Sequence, residues 1–252
     1  MMRERLPREI DRRVAVVTGG SRGIGTAIAL ALAREKFDVA VGYSGSPSSA
    51  EACVQEIERI GRHAVAVHAD LIDPSGAEAV MAQTLETFSQ VDVLINNAGV
   101  GVVQDFADLS IADWDRTMNI NARSAFRLSQ LLIPPMAKRG WGRVVFISSI
   151  VAFTGGIVGA DYAASKAALL GLTRYLAATF ASAGVTVNAV APGFIETDML
   201  PGGEAARTQL IERVPLRRLG TAQEVADLVV MLVNNAYITG QTVVIDGGRY
   251  FH

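Results

Sequence analysis

Seven short apolar runs alternate with longer amphipathic segments along this chain of 252 residues. The runs are rich in Val, Ile and Ala throughout, as strands buried on both faces of a sheet are. The segments between them repeat apolar residues at intervals of three and four, which is the helical spacing. This alternation predicts an α/β, doubly wound parallel sheet of about seven strands with helices on both faces. The expected strands span residues 13–19, 38–43, 63–70, 91–99, 142–149, 185–193 and 241–248.

The pattern offers no internal domain boundary, because no linker, repeat or low-complexity tract interrupts it. A chain of this length can bury a substantial core as one unit. We therefore expect a single domain over residues 1–252, with residues 1–11 as a loose N-terminal extension. The longest irregular stretch, residues 193–207, is expected to form a lid over a site.

Composition narrows the possible partners and compartments. Charged residues make up 19% of the chain and the formal net charge is −2, so there is no electrostatic case for nucleic acid or an anionic membrane surface. The apolar runs are too short to span a bilayer, and the first residues lack the apolar core of a signal peptide. We expect a soluble cytoplasmic protein.

Cysteine and histidine give no sign of a disulfide or a metal site. The single Cys53 has no partner for an internal disulfide and is expected to be a small buried hydrophobe. His63, His68 and His252 lack the spacing of metal ligands, and we interpret them as structural or surface residues.

A glycine-rich turn connects the first expected strand to the first expected helix. Gly19, Gly23 and Gly25 follow a G-x-x-x-G-x-G spacing, which differs from the common G-x-G-x-x-G fingerprint. The physical requirement is the same: glycines let the backbone approach a pyrophosphate, and the helix N-terminus offers free N–H groups. An ordinary glycine turn is the alternative, but the strand–turn–helix context favours a dinucleotide site.

The end of the second strand indicates which dinucleotide is bound. An NAD site usually places a carboxylate there, on the ribose 2′-hydroxyl, whereas this strand ends in Tyr43 and Ser44. Arg22 in the glycine loop could pair with a 2′-phosphate. Both features favour NADP(H), and the alternative for Arg22 is a solvated loop charge.

Tyr162 and Lys166 stand four residues apart in a helical segment, so their side chains project from one face. Only three of the 23 basic residues are Lys, and one of them stands here. A compact ammonium beside a phenol is something that Arg cannot supply. The alternative is structural, with the Lys stem covering a packed Tyr ring.

Three segments follow the glycine loop in order: "NNAG" after the fourth strand, "ISS" after the fifth, and Tyr162-x-x-x-Lys166. With these motifs the chain resembles the classical short-chain dehydrogenase/reductase family from Arg13 to about Gly248. The stretches "APGFIETDM" and "YITGQTVVIDGG" resemble its bacterial 3-oxoacyl-(acyl-carrier-protein) reductases in particular. The resemblance implies a Rossmann-type fold.

The resemblance assigns four catalytic roles. It makes Tyr162 the general acid of carbonyl reduction and Lys166 the group that lowers the Tyr pKa and holds the nicotinamide ribose. Ser149 would orient the substrate oxygen, although a strand-end Ser can also simply bond to backbone. Asn121 would hold a proton-relay water, and its spacing fits the family better than that of Asn119.

The resemblance also implies an NADP(H) cleft, with Asp70 and Leu71 at the adenine, Pro192, Gly193 and Ile195 beside the nicotinamide, and Thr197 on its carboxamide. Asn97 could instead only brace the central sheet. The expected cofactor-binding residues are Gly19, Ser21, Arg22, Gly23, Ile24, Gly25, Tyr43, Ser44, Asp70, Leu71, Asn97, Ala98, Gly99, Tyr162, Lys166, Pro192, Gly193, Ile195 and Thr197.

Together, these features predict an NADPH-dependent reductase that transfers a hydride to a ketone or 3-oxoacyl-type carbonyl. The resemblance also implies that it assembles as a homotetramer. One alternative is an NAD(P)-dependent alcohol, sugar or steroid dehydrogenase of the same family, which the missing carboxylate after the second strand disfavours. Another is a catalytically silent dinucleotide-binding regulator, which would not need the four catalytic residues.

Two positions put a carrier-protein partner in doubt. The carrier-dependent reductases of this family place docking Arg residues on two long helices, and the corresponding positions here hold Pro134 and Ala178. Arg127 and Arg174 stand nearby and could substitute.

Overall fold

The computed structural model describes residues 13–197, 200 and 203–251, so the expected N-terminal extension and His252 lie outside the described residues. Seven parallel strands form one sheet in the order β3-β2-β1-β4-β5-β6-β7. The predicted doubly wound sheet is confirmed. The strands are β1 (Val14–Val17), β2 (Asp38–Tyr43), β3 (Ala64–His68), β4 (Val93–Asn96), β5 (Gly142–Ile147), β6 (Val185–Pro192) and β7 (Thr242–Ile245).

Helices cover both faces of the sheet. They are α1 (Gly23–Arg34), α2 (Pro47–Arg59), α3 (Gly76–Thr87), α4 (Ile111–Met118), α5 (Ser124–Arg139), α6 (Val151–Thr154), α7 (Ala160–Phe180), α8 (Glu204–Glu212) and α9 (Ala222–Asn234). Short 3₁₀ turns span Phe106–Asp108 and Ala181–Ala183, and a π-helical turn, Asn119–Arg123, joins α4 to α5.

Two hydrophobic clusters fill the space on either side of the sheet. One joins the sheet to α3, α5 and α7, and the other joins it to α1, α2 and α9. Successive residues of a strand alternate between them: Val14 and Val16 belong to the first, Ala15 and Val17 to the second. This two-sided burial explains why the strands are continuous apolar runs in the sequence. Cys53 is buried in the second cluster, as predicted.

The structure corrects one expectation outside the sheet. Residues 193–207 were expected to be irregular, but α8 begins at Glu204, directly after Gly203 with a φ of 98°. Leu210 anchors this helix to the interior. Within the part of the chain that is described, no helix is long and apolar enough to cross a membrane.

Candidate active site

The glycine loop lies at the carboxyl edge of the sheet, between the ends of β1 and β4. The strand order reverses direction between these two strands, which is where open α/β sheets bind ligands. The side-chain amide of Asn97 donates to the carbonyl oxygens of Thr18 (2.9 Å) and Gly19 (3.0 Å). Asn97 therefore braces the loop itself, and a direct cofactor contact stays a prediction.

Two positions of the loop require glycine, one because of its backbone conformation and one because there is no space for a side chain. Gly19 has a φ of 62°, a region that side chains avoid. A Cβ on Gly25 would collide with the carbonyl oxygen of Gly19. The loop backbone is thus exposed at the start of α1, whose first N–H groups have no intrahelical partners. These features fit a bound pyrophosphate.

The opposite wall of the cleft comes from the segment after β6. A Cβ on Gly23 would lie 3.4 Å from Cγ2 of Thr197, so this segment meets the glycine loop. Ile195 is buried and forms a parallel bridge with Gly220. Gly193 is fixed by the hydrogen bond from its N–H to the Ile245 oxygen (2.9 Å). The structure brings these predicted residues together at one edge.

The end of β2 lies beside the glycine loop, because the Gly20 N–H donates to the Gly42 oxygen (2.8 Å). Tyr43 contacts the ring of His68, with centroids 5.2 Å apart, and a ring nitrogen of His68 lies 3.2 Å from the Ser44 oxygen. His68, which was interpreted as a structural or surface residue, is exposed at this edge. Arg22 is exposed and forms no ion pair with the described residues.

The predicted adenine contacts lie at the end of β3. Asp70 is exposed, and its Oδ1 accepts a hydrogen bond from the N–H of Ile72 (2.9 Å). The side chain of Leu71 is buried in the core, so only its backbone is available to a ligand. A carboxylate with a free oxygen and a backbone N–H are groups that can bind an adenine edge.

Lys166 lies almost fully buried on α7, at the end of β5. Its Nζ donates to the Ile147 carbonyl oxygen (2.8 Å) and lies 5.6 Å from the centroid of the Tyr162 ring. A Cβ on Gly99 would approach Nζ to 3.1 Å and Oδ1 of Asn121 to 3.4 Å. Gly99, Asn121, Tyr162 and Lys166 therefore converge.

Burial shifts the pKa of both titratable groups. It raises the pKa of Tyr162, and the nearby Ser149 hydroxyl partly opposes that rise. The lowering of the Tyr162 pKa by Lys166 together with a bound nicotinamide stays a prediction. Burial also lowers the pKa of Lys166 to about 8, so the amine keeps its proton at pH 7.

Asn121 stands in the π-helical turn between α4 and α5, a type of turn that often marks functional sites. Its Oδ1 accepts from the Val100 N–H (2.8 Å), and its Nδ2 donates to the Val100 oxygen (2.9 Å) and to Oγ of Ser165 (2.9 Å). The amide is thereby fixed against the loop after β4 and helix α7. Asn119 instead lines a surface groove.

Sequence reasoning missed two residues that hold the helix carrying Tyr162. Asp161 is 2% exposed, and its Oδ2 accepts a hydrogen bond from Oγ1 of Thr117 on α4 (2.6 Å). Ser148 Oγ donates to the Lys166 carbonyl oxygen (2.8 Å). The Asp161 position, directly before the tyrosine, was visible in the sequence, but its partner in α4 was not.

The fold and this site define a dinucleotide-dependent oxidoreductase class, and comparison with known proteins identifies the family. The model of the short chain dehydrogenase family matches residues 13–207, and the chain belongs to that family. It is accordingly an NAD(P)-dependent oxidoreductase that acts on the C=O/CH–OH pair.

No group of His, Cys, Asp or Glu that could hold a metal ion occurs among the described residues.

The individual proteins with similar sequences include bacterial 3-oxoacyl reductases. The chain is 39% identical over 239 residues to the 3-oxoacyl-[acyl-carrier-protein] reductase FabG of Staphylococcus aureus, covering 94% of this chain and 97% of that protein. It is 39% identical over 243 residues to FabG of Escherichia coli, covering 95% and 98%. A solved structure, a blue fluorescent protein from a metagenomic library in complex with NADPH, is 40% identical, with a TM-score of 0.88 and coverage of 94% and 97%.

The Thr117–Asp161 contact yields a prediction about the anchoring of α7. Thr117→Val keeps the side-chain shape but leaves Oδ2 of a buried carboxylate without its donor, which costs about 1–3 kcal/mol. We expect urea denaturation to show that loss in the free energy of unfolding. Thr208→Val is the matched control, because Thr208 is exposed and bonds only within its own helix. Equal stability of the two variants would contradict the anchoring role.

Proposed function

We propose that the protein is an NADPH-dependent reductase of ketones and 3-oxoacyl-type carbonyls. The observation that carries the proposal is the convergence of Ser149, Tyr162, Lys166 and Asn121 at the edge of the sheet that also holds the glycine loop. The 3-oxoacyl reductases among its relatives and the NADPH-bound structural relative support the same assignment.

When bound, the cofactor supplies the hydride that the carbonyl carbon accepts. The chain's own residues supply the proton. Because burial raises the pKa of Tyr162, its phenol is protonated at neutral pH and can donate to the carbonyl oxygen as charge develops there. Oγ of Ser149 donates to the Pro192 oxygen (3.5 Å) and accepts from the Val151 N–H (3.4 Å), and it lies near enough to the phenol to lower its pKa, so it would orient the same substrate oxygen. Lys166 remains charged near pH 7 and would hold the nicotinamide ribose.

The apolar rim of the cleft favours an uncharged or aliphatic group around the reacting carbonyl. Val102, Val103 and Ile157 are exposed there. The two segments that carry them are joined by the hydrogen bond from the Gln104 N–H to the Val158 oxygen (3.2 Å). A Cβ on Gly101 would lie 2.8 Å from the Tyr162 ring, so this rim continues to the phenol.

The first functional prediction concerns the proton donor. Tyr162→Phe removes the phenolic hydroxyl and keeps the ring, so NADPH binding should persist while turnover falls at least about a hundredfold. Tyr175→Phe, on the exposed face of the same helix, is the control and should stay at wild-type turnover. The measurement is NADPH oxidation with a neutral ketone or 3-oxoacyl thioester. Wild-type turnover in Tyr162→Phe would rule out the mechanism.

The second prediction concerns cofactor choice. An unpaired guanidinium at the loop attracts the 2′-phosphate of NADPH, and a charge-assisted hydrogen bond contributes about 1.5–3 kcal/mol. Arg22→Ala should therefore weaken NADPH binding about ten- to a hundredfold and leave NADH binding little changed. Arg34→Ala is the control: it removes the same charge from the last turn of α1, away from the loop, and should leave the cofactor preference unchanged. Wild-type preference for NADH, or an unchanged ratio of kcat/KM values in Arg22→Ala, would refute NADP(H) specificity.

We also propose that the protein assembles as a homotetramer through the faces of α5 and α7. An apolar groove runs along these helices, with Phe126 half-exposed beside Met118 and Leu172. Phe126→Glu should shift the species measured by light scattering toward smaller assemblies, because it places a charge in an apolar contact. Tyr237→Glu is the control, because Tyr237 is exposed and does not line this groove, so the assembly should be unchanged. A monomeric wild type at micromolar concentration would contradict the assembly.

A further inference from the structure

Two arginines lie beside the cleft without a carboxylate partner. The guanidinium carbon of Arg249, just after β7, stands 4.1 Å from the centroid of the Phe194 ring, which directly follows Gly193. Arg213 follows α8 and is exposed. Neither guanidinium forms an ion pair or a hydrogen bond with the described part of the chain, although the backbone N–H of Arg213 donates to the Leu210 oxygen (3.1 Å).

The backbone around Arg249 is held in place by its neighbours. Asp246 accepts hydrogen bonds from the N–H groups of Gly248 (2.9 Å, Oδ1) and Tyr250 (2.7 Å, Oδ2). The Tyr250 ring stacks on Phe153 of α6, with centroids 5.1 Å apart. Since α6 begins two residues after Ser149, the segment after β7 connects the substrate side of β5 with the segment after β6.

Arg213 belongs to a turn that packs against this same segment. The Leu216 N–H donates to the Gly247 oxygen (3.2 Å), and a Cβ on Gly247 would lie 2.5 Å from Val214. Burial, followed by the charge of Arg213, lowers the pKa of Arg249, while Asp246 opposes the shift. The turn that carries Arg213 thus packs against the segment that carries Arg249, and the nearby Asp246 carboxylate already accepts hydrogen bonds from backbone N–H groups.

Three other arginines already have hydrogen-bond partners within the chain. Arg218 binds Glu224 through two hydrogen bonds (2.9 and 2.5 Å), and Arg217 donates to the Glu212 oxygen (3.0 Å). Arg127, one of the two candidates for docking a carrier protein, is paired with Glu78 (2.7 Å from Nε). Of the arginines in this turn and in the segment after β7, Arg213 and Arg249 therefore have side-chain donors available to a ligand, whereas Arg217 and Arg218 are engaged.

We propose that Arg213 and Arg249 form an anion subsite that binds the phosphate of a 4′-phosphopantetheine thioester substrate at the rim of the cleft. The guanidinium fork matches phosphate oxygens, and the Phe194 ring holds one fork in place. The phosphate stands at the far end of an extended, largely neutral arm, so it belongs at the rim and not beside Tyr162. This subsite deepens the proposed reductase function and rests on it.

A matched substrate pair isolates the phosphate. The kcat/KM values for acetoacetyl-4′-phosphopantetheine and acetoacetyl-pantetheine are compared at saturating NADPH in the wild type, Arg213→Gln and Arg249→Gln. The wild type should prefer the phosphorylated thioester about tenfold or more, mainly through KM, and each substitution should remove most of that preference. Activity with the unphosphorylated thioester should be unchanged, which a merely structural defect would not allow.

Arg217→Gln is the matched control, because it removes one positive charge from the same turn. It should retain the preference for phosphate. Equal kcat/KM values for the two thioesters in the wild type would overturn the subsite. So would an equal loss in Arg217→Gln, which would indicate a diffuse positive field, or a parallel loss on both thioesters in Arg213→Gln and Arg249→Gln.

A binding measurement separates failure of the subsite from failure of the reductase function. Calorimetry of the NADPH-saturated wild type with 4′-phosphopantetheine and with pantetheine tests the subsite without turnover. Tighter binding of the phosphorylated compound that is lost in Arg249→Gln supports the subsite; equal binding overturns it. If neither thioester is reduced while a simple ketone is, the 3-oxoacyl assignment fails instead. Comparing acetoacetyl-CoA with acetoacetyl carrier protein then identifies which source of the phosphate gives the higher kcat/KM.

Discussion

The buried ammonium of Lys166 is the interaction on which the rest of the site depends. Its desolvation is costly, and the carbonyl oxygen of Ile147 accepts its hydrogen bond at 2.8 Å. That bond fixes α7 to the end of β5, two residues before Ser149. Together with the hydrogen bond from Ser148 Oγ to the Lys166 oxygen (2.8 Å), it holds the helix of Tyr162 against the strand end that carries Ser149. Gly99 has no room for a side chain because this ammonium and Asn121 occupy the adjacent space.

The parallel sheet supplies the second constraint. All seven strands end at the same edge, so the loops after β1, β4, β5 and β6 must meet there. Hydrogen bonds between loops give this edge its rigidity: Asn97 holds the glycine loop, and Asn121 holds the loop after β4. The Asn121 amide donates and accepts at the same time, whereas the Asn97 amide serves as a donor to two carbonyl oxygens.

Burial and charge divide the edge into regions with different chemistry. The phenol and ammonium lie in a poorly solvated centre, where burial shifts the pKa of Tyr162 upward and that of Lys166 downward. Arg22 lies exposed at one end, beside the polar end of β2. Arg249 lies at the other end, beside Phe194, and the turn that carries Arg213 packs against the same segment. These arginines flank a buried centre that itself holds the Lys166 ammonium, and their positions suit a cofactor and a substrate that are anionic at their ends.

The sequence by itself determined the parallel fold and most of the site, because both follow local rules. Two-sided burial makes each strand a continuous apolar run, and Tyr162 and Lys166 share a face by helical spacing alone. Only the tertiary structure decided how distant segments act on each other. Burial, which depends on every element packed around Tyr162, raises the pKa of its phenol, and the Tyr-x-x-x-Lys spacing does not reveal that shift. Thr117 reached Asp161 across 44 positions, and Arg213 met Arg249 through the packing of two turns. No local pattern encodes such contacts, because they arise only when separate segments are brought to one edge of the sheet.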